Sequence, residues 1–301
     1  MSEEPNAGSG AEVSRRAFVG LTAGAVAVAA AGAAVGIGLL TEEKKATKLS
    51  SKYVAGDIPA DDPQDGRWYD LDAFDVEMLP QQMVAPMIQA VVVPTLKVRS
   101  MNNGETIAFH VEWEDAEADD KDSMAMFHDG VAVQLPTTET APAISMGQPG
   151  SPVHIMQWRA SWQADIDEGR RTVKDIFPNF HPGLAPEDLM TEEQASVYYP
   201  GIYLGNPMSK RSRTSPVEEL TAVGFGSLTE MEEQKAVGNG LYEGGSWKVA
   251  MGTSMLGGEG RYDGSRRTKV AFAAWNGSQD ERGARKQYAD WIDISVEGGG
   301  G

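Results

Sequence analysis

The alternation of apolar and polar residues along most of the chain is typical of β-strands. Residues Thr106–Trp113 alternate with a period of two, and the turn Asn102-Asn103-Gly104 in front of them is typical of a hairpin. Similar segments predict further strands at Ile88–Val93, Leu96–Val98, Gly130–Leu135, Val153–Trp162, Trp247–Met251, Lys269–Trp275 and Tyr288–Val296. Because these strands recur with few helices between them, the sequence predicts an all-β fold, a two-sheet β-sandwich.

Helical signals are few and short, and they fall within long connections. Pro186–Leu189 and Thr229–Ala236 are the two candidates, and the stretch from Asp165 to Val197 has the composition of a helix-and-loop insertion. We therefore expect the sandwich to occupy residues 86–297, with a glycine tail at residues 298–301.

The N-terminus has the pattern of an export segment. Arg15 and Arg16 precede an apolar run from Ala17 to Leu40 that is rich in alanine and glycine. This pattern resembles a twin-arginine export signal, and the run is also long enough to be an uncleaved membrane anchor. Residues 1–40 are thus predicted to be a signal or anchor, and residues 41–85 a polar linker that leads into the domain. We expect the domain to lie in the periplasm or on the extracytoplasmic face of the membrane.

Composition excludes several classes of function. The chain of 301 residues has 44 acidic and 26 basic residues, a net charge of −18, which argues against nucleic-acid binding. It has no cysteine, so disulfides, thiolate metal sites and Cys-bound iron–sulfur clusters are excluded. His110 and His154 lie inside predicted strands, and the carboxylates from Glu112 to Asp120 are expected to be solvated. No nucleophile elbow, P-loop or dinucleotide fingerprint is present, so the sequence shows no catalytic machinery.

A series of short motifs in a characteristic order carries a family resemblance. The motifs are His110-Val111-Glu112-Trp113-Glu114-Asp115, Phe127-His128-Asp129-Gly130, Ser145-Met146-Gly147, Pro152-Val153-His154-Ile155-Met156-Gln157-Trp158, Gly205-Asn206-Pro207, Pro216-Val217-Glu218-Glu219-Leu220, Gly224-Phe225-Gly226-Ser227-Leu228-Thr229 and Val270-Ala271-Phe272-Ala273-Ala274-Trp275-Asn276-Gly277. Across residues 86–297 the chain resembles the haem-b-binding gamma subunits of type II molybdenum enzymes of the DMSO reductase family. Ethylbenzene and dimethylsulfide dehydrogenases, selenate and chlorate reductases and some haloarchaeal nitrate reductases have such subunits.

The resemblance implies a β-sandwich that holds one haem b between loops at one end, with a methionine and a lysine as axial ligands. By motif, these ligands are Met146 in Ser-Met-Gly and Lys286 at the start of the last strand. Two axial ligands leave no open position for a substrate, so the resemblance implies an electron-transfer subunit that is not itself catalytic. It also implies an iron–sulfur beta subunit, a molybdopterin alpha subunit and a soluble or membrane electron carrier as partners. The acidity and the twin-arginine pattern favour a nitrate reductase complex.

The residues alone leave other interpretations open. Met146 is one of 14 methionines, which commonly fill gaps in cores, and Lys286 without the resemblance would be a surface cation. The competitors are Met101, Met124, Met126 and Met156 for the thioether, and Lys248 and Lys269 for the amine. Trp158, Trp162, Phe225 and Trp275 are expected in the core. The main alternative function is a non-haem, exported β-sandwich module that binds another ligand, and a hydrolase is weaker because no catalytic group is visible.

Overall fold

The computed structural model describes residues 46–179, 191, 193, 194, 197, 199–210, 212–258, 260–265 and 267–298. All of them belong to one compact unit, residues 43–301. The predicted signal or anchor at residues 1–40, the helix predicted at Pro186–Leu189 and all but the first residue of the glycine tail lie outside the described residues. In the part of the chain that is described, no helix is long and apolar enough to cross a membrane.

Strands dominate the described chain, and its helices are short. The strands are β1 (Ser50–Tyr53), β2 (Phe74–Glu77), β3 (Leu79–Pro80), β4 (Thr95–Asn102), β5 (Thr106–Glu114), β6 (Gly130–Pro136), β7 (Val153–Arg159), β8 (Val217–Ala222), β9 (Thr229–Glu230), β10 (Val237–Glu243), β11 (Ser246–Ser254), β12 (Arg267–Trp275), β13 (Gln287–Tyr288) and β14 (Ile292–Val296). The helices are α1 (Gly66–Tyr69), α2 (Ala160–Asp167), α3 (Val173–Ile176) and α4 (Pro200–Tyr203), with 3-10 turns at Pro207–Ser209 and Gly277–Gln279.

The strands form two sheets that share β12. The first sheet has the order β10-β11-β5-β4-β1-β14-β12, with β2 also paired to β4. The second has the order β3-β13-β12-β6-β7-β8-β9. Residues 267–270 of β12 pair with β14 of the first sheet, and residues 271–275 pair with β6 of the second. The predicted all-β sandwich is confirmed.

The main core lies between the inner faces of the two sheets. Val131 and Val133 of β6 and Met156 of β7 point into it from the second sheet, and Phe109 and Val249 from the first. Three tryptophans pack together at its centre, with ring centroids 4.9–6.3 Å apart: Trp113, Trp158 and Trp247. Aromatic groups of this size bury a large apolar area, so this cluster contributes strongly to the adhesion of the sheets.

Several elements differ from the sequence prediction. Ile88–Val93 is not a strand, and Thr229–Ala236 starts with β9 rather than a helix. The strand predicted at Val153–Trp162 ends at Arg159, and α2 begins at Ala160. Strands β1, β2 and β3 come from within the predicted linker, so the sandwich takes strands from both sides of the predicted boundary at residue 86.

Strands β8 and β10 were not predicted, because their composition hides the alternation. Strand β8 carries two adjacent buried carboxylates, Glu218 and Glu219, each paired with an arginine. Strand β10 contains Gly240, where a Cβ would lie 2.2 Å from the Trp158 ring. A side chain there would collide with the core, so the close approach of β10 to Trp158 requires glycine.

Candidate functional site

A cavity of about 610 Å³ lies on the outer face of the second sheet. Its floor comes from β6, β7, β8 and β12, and its walls come from residues 81–85, 144–146, 225–228 and 283–289. A volume of this size is in the range of sites that bind small molecules and cofactors. The resemblance implied a haem between loops at one end of the sandwich, whereas this cavity lies against a sheet face that loops cover.

The centre of the cavity floor is made of small side chains. Ala132 of β6 pairs with Ala273 of β12, and Ala271 pairs with Gln134, whose side chain also lines the cavity. Ile155 and Leu220, on β7 and β8, continue the same face with larger apolar groups. Methyl groups in the middle and larger apolar groups beside them make most of the floor apolar, with the amides of Gln134 and Gln157 among them, which suits a mainly apolar ligand.

Met146 is held in an unusual backbone conformation beside this floor. Its φ angle is +65°, in the left-handed region that residues other than glycine rarely adopt. Its N–H donates to the Ile144 carbonyl at 2.7 Å, and its carbonyl accepts from the Gly224 N–H at 2.8 Å. A side chain at Gly147 would lie 2.6 Å from the Ala222 carbonyl. Such strain persists where the surroundings fix it, and it is concentrated at functional sites.

Lys286 approaches from the opposite wall, directly before β13. Its carbonyl accepts from the Gln81 N–H at 3.1 Å, and its ammonium nitrogen lies 5.2 Å from the centre of the Trp275 ring. The side chain is half-buried, and burial lowers the pKa of its ammonium to about 8. The next residue, Gln287, is fully buried; its side chain accepts from the Val92 N–H at 2.6 Å and donates to Glu281 at 2.8 Å.

The two predicted ligand residues meet in the cavity. The Lys286 Nζ atom lies 3.8 Å from the Met146 Sδ atom, although the residues are 140 positions apart. The Met146 sulfur and, once deprotonated, the Lys286 nitrogen both have lone pairs that could bind a metal ion, so these two residues would be able to hold one together.

The competing residues named from the sequence lie elsewhere. Met101 and Met156 are fully buried in the hydrophobic cores, and Met124 and Met126 are exposed. Lys248 and Lys269 form ion pairs on the strands of the first sheet, with Glu243 at 3.0 Å and Asp293 at 2.7 Å.

Two residues of the cavity wall were missed or misplaced by sequence reasoning. Met83 lines the cavity, and no pattern in the sequence singled it out. Phe225 was expected in the core, but it is exposed and lines the cavity. Trp275 is buried in a small apolar cluster, as predicted, and it also lines the cavity. Trp158, by contrast, lies in the core as predicted.

Other polar groups of interest lie outside the cavity. His154 is buried and bonds to Glu219 at 2.9 Å, which agrees with its expected structural role. Asp115, predicted to be solvated, is buried instead; it accepts from the Asn276 amide at 3.0 Å, and burial raises its pKa. Within the described ranges, no group of three or more histidine, aspartate or glutamate side chains is arranged to hold a metal ion.

The fold and the cavity together define a class of protein: a β-sandwich with a mainly apolar cavity and a thioether–amine pair inside it. Comparison with known proteins finds a similar family. Residues 65–176 match the sequence model of the family described as ethylbenzene dehydrogenase. This match confirms the resemblance drawn from the motifs and relates the chain to the ethylbenzene dehydrogenase family.

A relative is found over most of the chain. Across 268 residues, the chain is 26% identical to a protein of Haloferax mediterranei named "Putative respiratory nitrate reductase heme subunit ORF7". The matched region covers 86% of this chain and 76% of that protein.

Among solved structures, two of a carbohydrate binding module family 9 (CBM9) from Caldicellulosiruptor kristjanssonii resemble the chain. One is a complex with glucose and the other a complex with cellotriose; the TM-scores are 0.39 and 0.38, at 10% sequence identity. The matched region covers 84% of this chain and 97% and 95% of those chains. Similarity at this level carries no argument about ligands.

Proposed function

We propose that this protein is a b-type cytochrome subunit that binds one haem b in the cavity, with Met146 and Lys286 as its axial ligands. The observation that carries the proposal is the 3.8 Å approach of the Lys286 amine to the Met146 thioether, between apolar walls. The family match and the name of the Haloferax relative support it. When bound, haem supplies a centre that accepts and releases single electrons.

The residues of the cavity provide the chemistry that this ligand needs. A thioether is a soft ligand that favours ferrous iron and raises the reduction potential. An amine binds a metal only after it loses its proton, and the lowered pKa of Lys286 makes this loss easier than for an exposed lysine. Apolar walls exclude water from the ligand. With two protein ligands and no open position, this site transfers electrons and does not bind a substrate.

The proposal extends to the complex in which the subunit works. The subunit relays electrons between the iron–sulfur subunit of an exported molybdenum oxidoreductase and an external carrier, on the outer side of the membrane. The molybdopterin subunit carries out the substrate reaction, and the name of the Haloferax relative favours nitrate as the substrate. The direction of electron flow between the iron–sulfur subunit and the external carrier depends on whether the parent enzyme oxidises or reduces its substrate.

Ligand substitutions test the haem site. The purified chain is expected to show a Soret band and sharp bands after reduction by dithionite. Met146→Ala lowers the reduction potential because the ligand that favours ferrous iron is lost. Met83→Ala is the matched control, since Met83 also lines the cavity. An unchanged spectrum and potential in Met146→Ala would reject Met146 as the ligand.

The lysine is tested by a substitution that keeps its charge. Lys286→Arg is expected to lose the low-spin spectrum, because a guanidinium stays protonated and has no available lone pair. Lys269→Arg, at a surface ion pair, is the control and leaves the spectrum unchanged. Full haem content and a wild-type spectrum in Lys286→Arg would reject this ligand, and a chain without any Soret band would favour the non-haem binding module.

Purification from the native source tests the complex. A permanent interface of on the order of 2,000 Å² or more should keep the iron–sulfur and molybdopterin subunits attached through chromatography. A stable monomer without associated subunits would contradict the complex while leaving the haem site intact.

A further inference from the structure

Two methionine side chains that the proposed haem site does not use lie in solvent at the tip of one loop. Met124 is 86% exposed and Met126 is 54% exposed, in the loop of residues 119–129 that leads into β6. Methionine commonly fills gaps in cores, and an exposed thioether adds little to packing and is open to oxidation. Two exposed thioethers at alternate positions therefore have no structural role in the core.

The loop is an irregular hairpin whose tip and base are both fixed. At the tip, Ser123 and Met126 exchange backbone hydrogen bonds of 3.3 and 3.2 Å. Between them, Ala125 has a φ angle of +60°, in the left-handed region that residues other than glycine rarely adopt. At the base, the Asp129 N–H donates to the carbonyl of Asp119 at 2.8 Å. The two arms of the hairpin are thus held side by side.

His128 follows on the second arm, and a carboxylate from the first arm orients its ring. The Nδ1 atom of His128 lies 2.7 Å from the Oδ1 atom of Asp122. Although burial opposes ionisation of Asp122, the hydrogen bond from His128 lowers the pKa of this carboxyl, so it stays ionised. An ionised carboxylate only accepts hydrogen bonds, so Nδ1 carries the hydrogen and the lone pair of the neutral ring lies on Nε2. Among the described residues, none bonds to Nε2.

This pairing is the usual arrangement of a histidine that binds a metal. Such a histidine donates one ring N–H to a carboxylate, which fixes the ring and makes the other nitrogen a better ligand. Met126 and His128 are two positions apart on one arm, the spacing that brings side chains to the same face of an extended chain. Met124 lies at the adjoining tip. Two thioethers and one imidazole nitrogen are therefore presented at one end of the hairpin.

We propose that Met124, Met126 and His128 form a binding site for a soft metal ion, Cu(I), with Asp122 as a positioning residue. Thioether ligands select Cu(I) over harder divalent ions, and imidazole is also a good ligand for copper. None of these four residues lines the cavity. The site is thus separate from the proposed haem site and does not depend on it.

Anaerobic titration of the full chain with Cu(I), in competition with a chromogenic Cu(I) chelator, tests the site. The wild type is expected to bind one equivalent, and X-ray absorption at the copper edge should show two sulfur ligands and one nitrogen ligand. Zn(II) should bind far more weakly, because thioethers are poor ligands for harder ions. Failure of the wild type to take Cu(I) from the chelator would overturn the proposal without any variant.

Variants assign the binding to the hairpin. The double variant Met124→Leu with Met126→Leu keeps the apolar shape but removes both sulfur atoms, so it is expected to lose the bound Cu(I). Asp122→Ala keeps all three ligands and should weaken the affinity on the order of ten- to a hundredfold, the usual effect of losing a residue that orients a ligand. Met87→Leu is the matched control and leaves the affinity unchanged, because Met87 is also exposed, at 46%, but lies outside the hairpin.

The outcomes separate the hairpin from the cavity. Cu(I) bound equally by the double leucine variant would overturn the assignment, and loss of Cu(I) in Met146→Leu would place the ion in the cavity instead. Equal affinities for Cu(I) and Zn(II) would contradict the thioether ligands, and an unchanged affinity in Asp122→Ala would contradict the role of Asp122. The Soret band of the haem-loaded chain should not change in any hairpin variant, so failure of this proposal leaves the haem site standing.

Discussion

Replacement of Gly147 by alanine should show how the position of Met146 depends on its neighbour. Gly147 has a φ angle of +83°, and a Cβ there would lie 2.6 Å from the Ala222 carbonyl, 3.2 Å from the Ser151 carbonyl and 3.3 Å from the Val153 nitrogen. All three neighbours are backbone atoms of elements that border the cavity, so none can turn away as a flexible side chain would. The loop that carries Met146 must move instead.

The magnitude follows from two separate costs. A left-handed conformation costs a residue with a Cβ about 1–2 kcal/mol. Overpacking against a fixed backbone adds about 1–3 kcal/mol. Gly150 in the same loop provides the matched control, because its φ angle is +81° but nothing lies within 4 Å of its Cβ position. Gly150→Ala therefore incurs only the first cost, whereas Gly147→Ala incurs both.

Thermal unfolding of the haem-free chain measures this difference. For a domain of this size, 1 kcal/mol corresponds to about 2–4 °C, so Gly150→Ala should lower the midpoint by a few degrees and Gly147→Ala by roughly 5–15 °C. Haem titration gives a second measurement, in which Gly147→Ala loses the low-spin spectrum and Gly150→Ala keeps it. Equal midpoints for the two variants would refute the reasoning, because the contact with the Ala222 carbonyl would then have no energetic effect.

Three further predictions concern buried charges. Burial raises the pKa of Glu281 to about 7, so the folded state holds a proton that the unfolded state releases near pH 4.5. The free energy of unfolding should therefore fall by up to roughly 3 kcal/mol as the pH rises from about 4.5 to 7. If denaturation curves of Glu281→Gln show the same dependence on pH as the wild type, this reasoning is contradicted. Glu219→Gln should destabilise the chain by about 3–5 kcal/mol in urea unfolding, since it leaves the buried Arg261 without its carboxylate 2.7 Å away. A loss under 1 kcal/mol would show that the pair of Glu219 and Arg261 contributes little to stability. Lys286→Met should raise the thermal midpoint of the haem-free chain by a few degrees, because an ammonium no longer faces apolar walls. The same substitution should abolish low-spin haem binding. A lower midpoint would argue that the amine stabilises the haem-free chain.

The hairpin β4–β5 shows what local sequence determines. The turn prediction at residues 102–104 is confirmed: Gly104 has a φ angle of +88°, and the Asn103 side chain accepts from the N–H groups of Glu105 and Thr106 at 3.0 and 2.8 Å. These interactions are between near neighbours, and they require side chains that few other residues supply. A short-range pattern is therefore enough to predict the hairpin turn.

The cavity could not be predicted in the same way. Alternation along β6 shows which residues share a face, but every residue from Gly130 to Pro136 is buried, so both faces of this strand are covered. Apart from Gln134, β6 has no polar side chain, and this nearly continuous apolar character indicates cover on both sides. The outer face of β6 is covered by the loops that carry Met146 and Lys286. The paths of these loops depend on contacts between residues far apart in sequence. The pair was predicted only through the family resemblance.

The segments that carry the two candidate ligands are fixed by side chains that bond to loop backbone rather than by strand register. The Gln81 side chain accepts from the N–H groups of Met83 and Val84 at 2.6 and 2.8 Å, and it donates to the Ala284 carbonyl at 2.8 Å, two residues before Lys286. Gln287 links the other side of Lys286 to residues 92 and 93 and to Glu281. Because Gln81 and Gln287 are both buried, these bonds are shielded from water and hold the wall rigidly. An amine that approaches a thioether to 3.8 Å before any metal binds needs such support, since a loose wall would let the lysine turn its charge out to solvent.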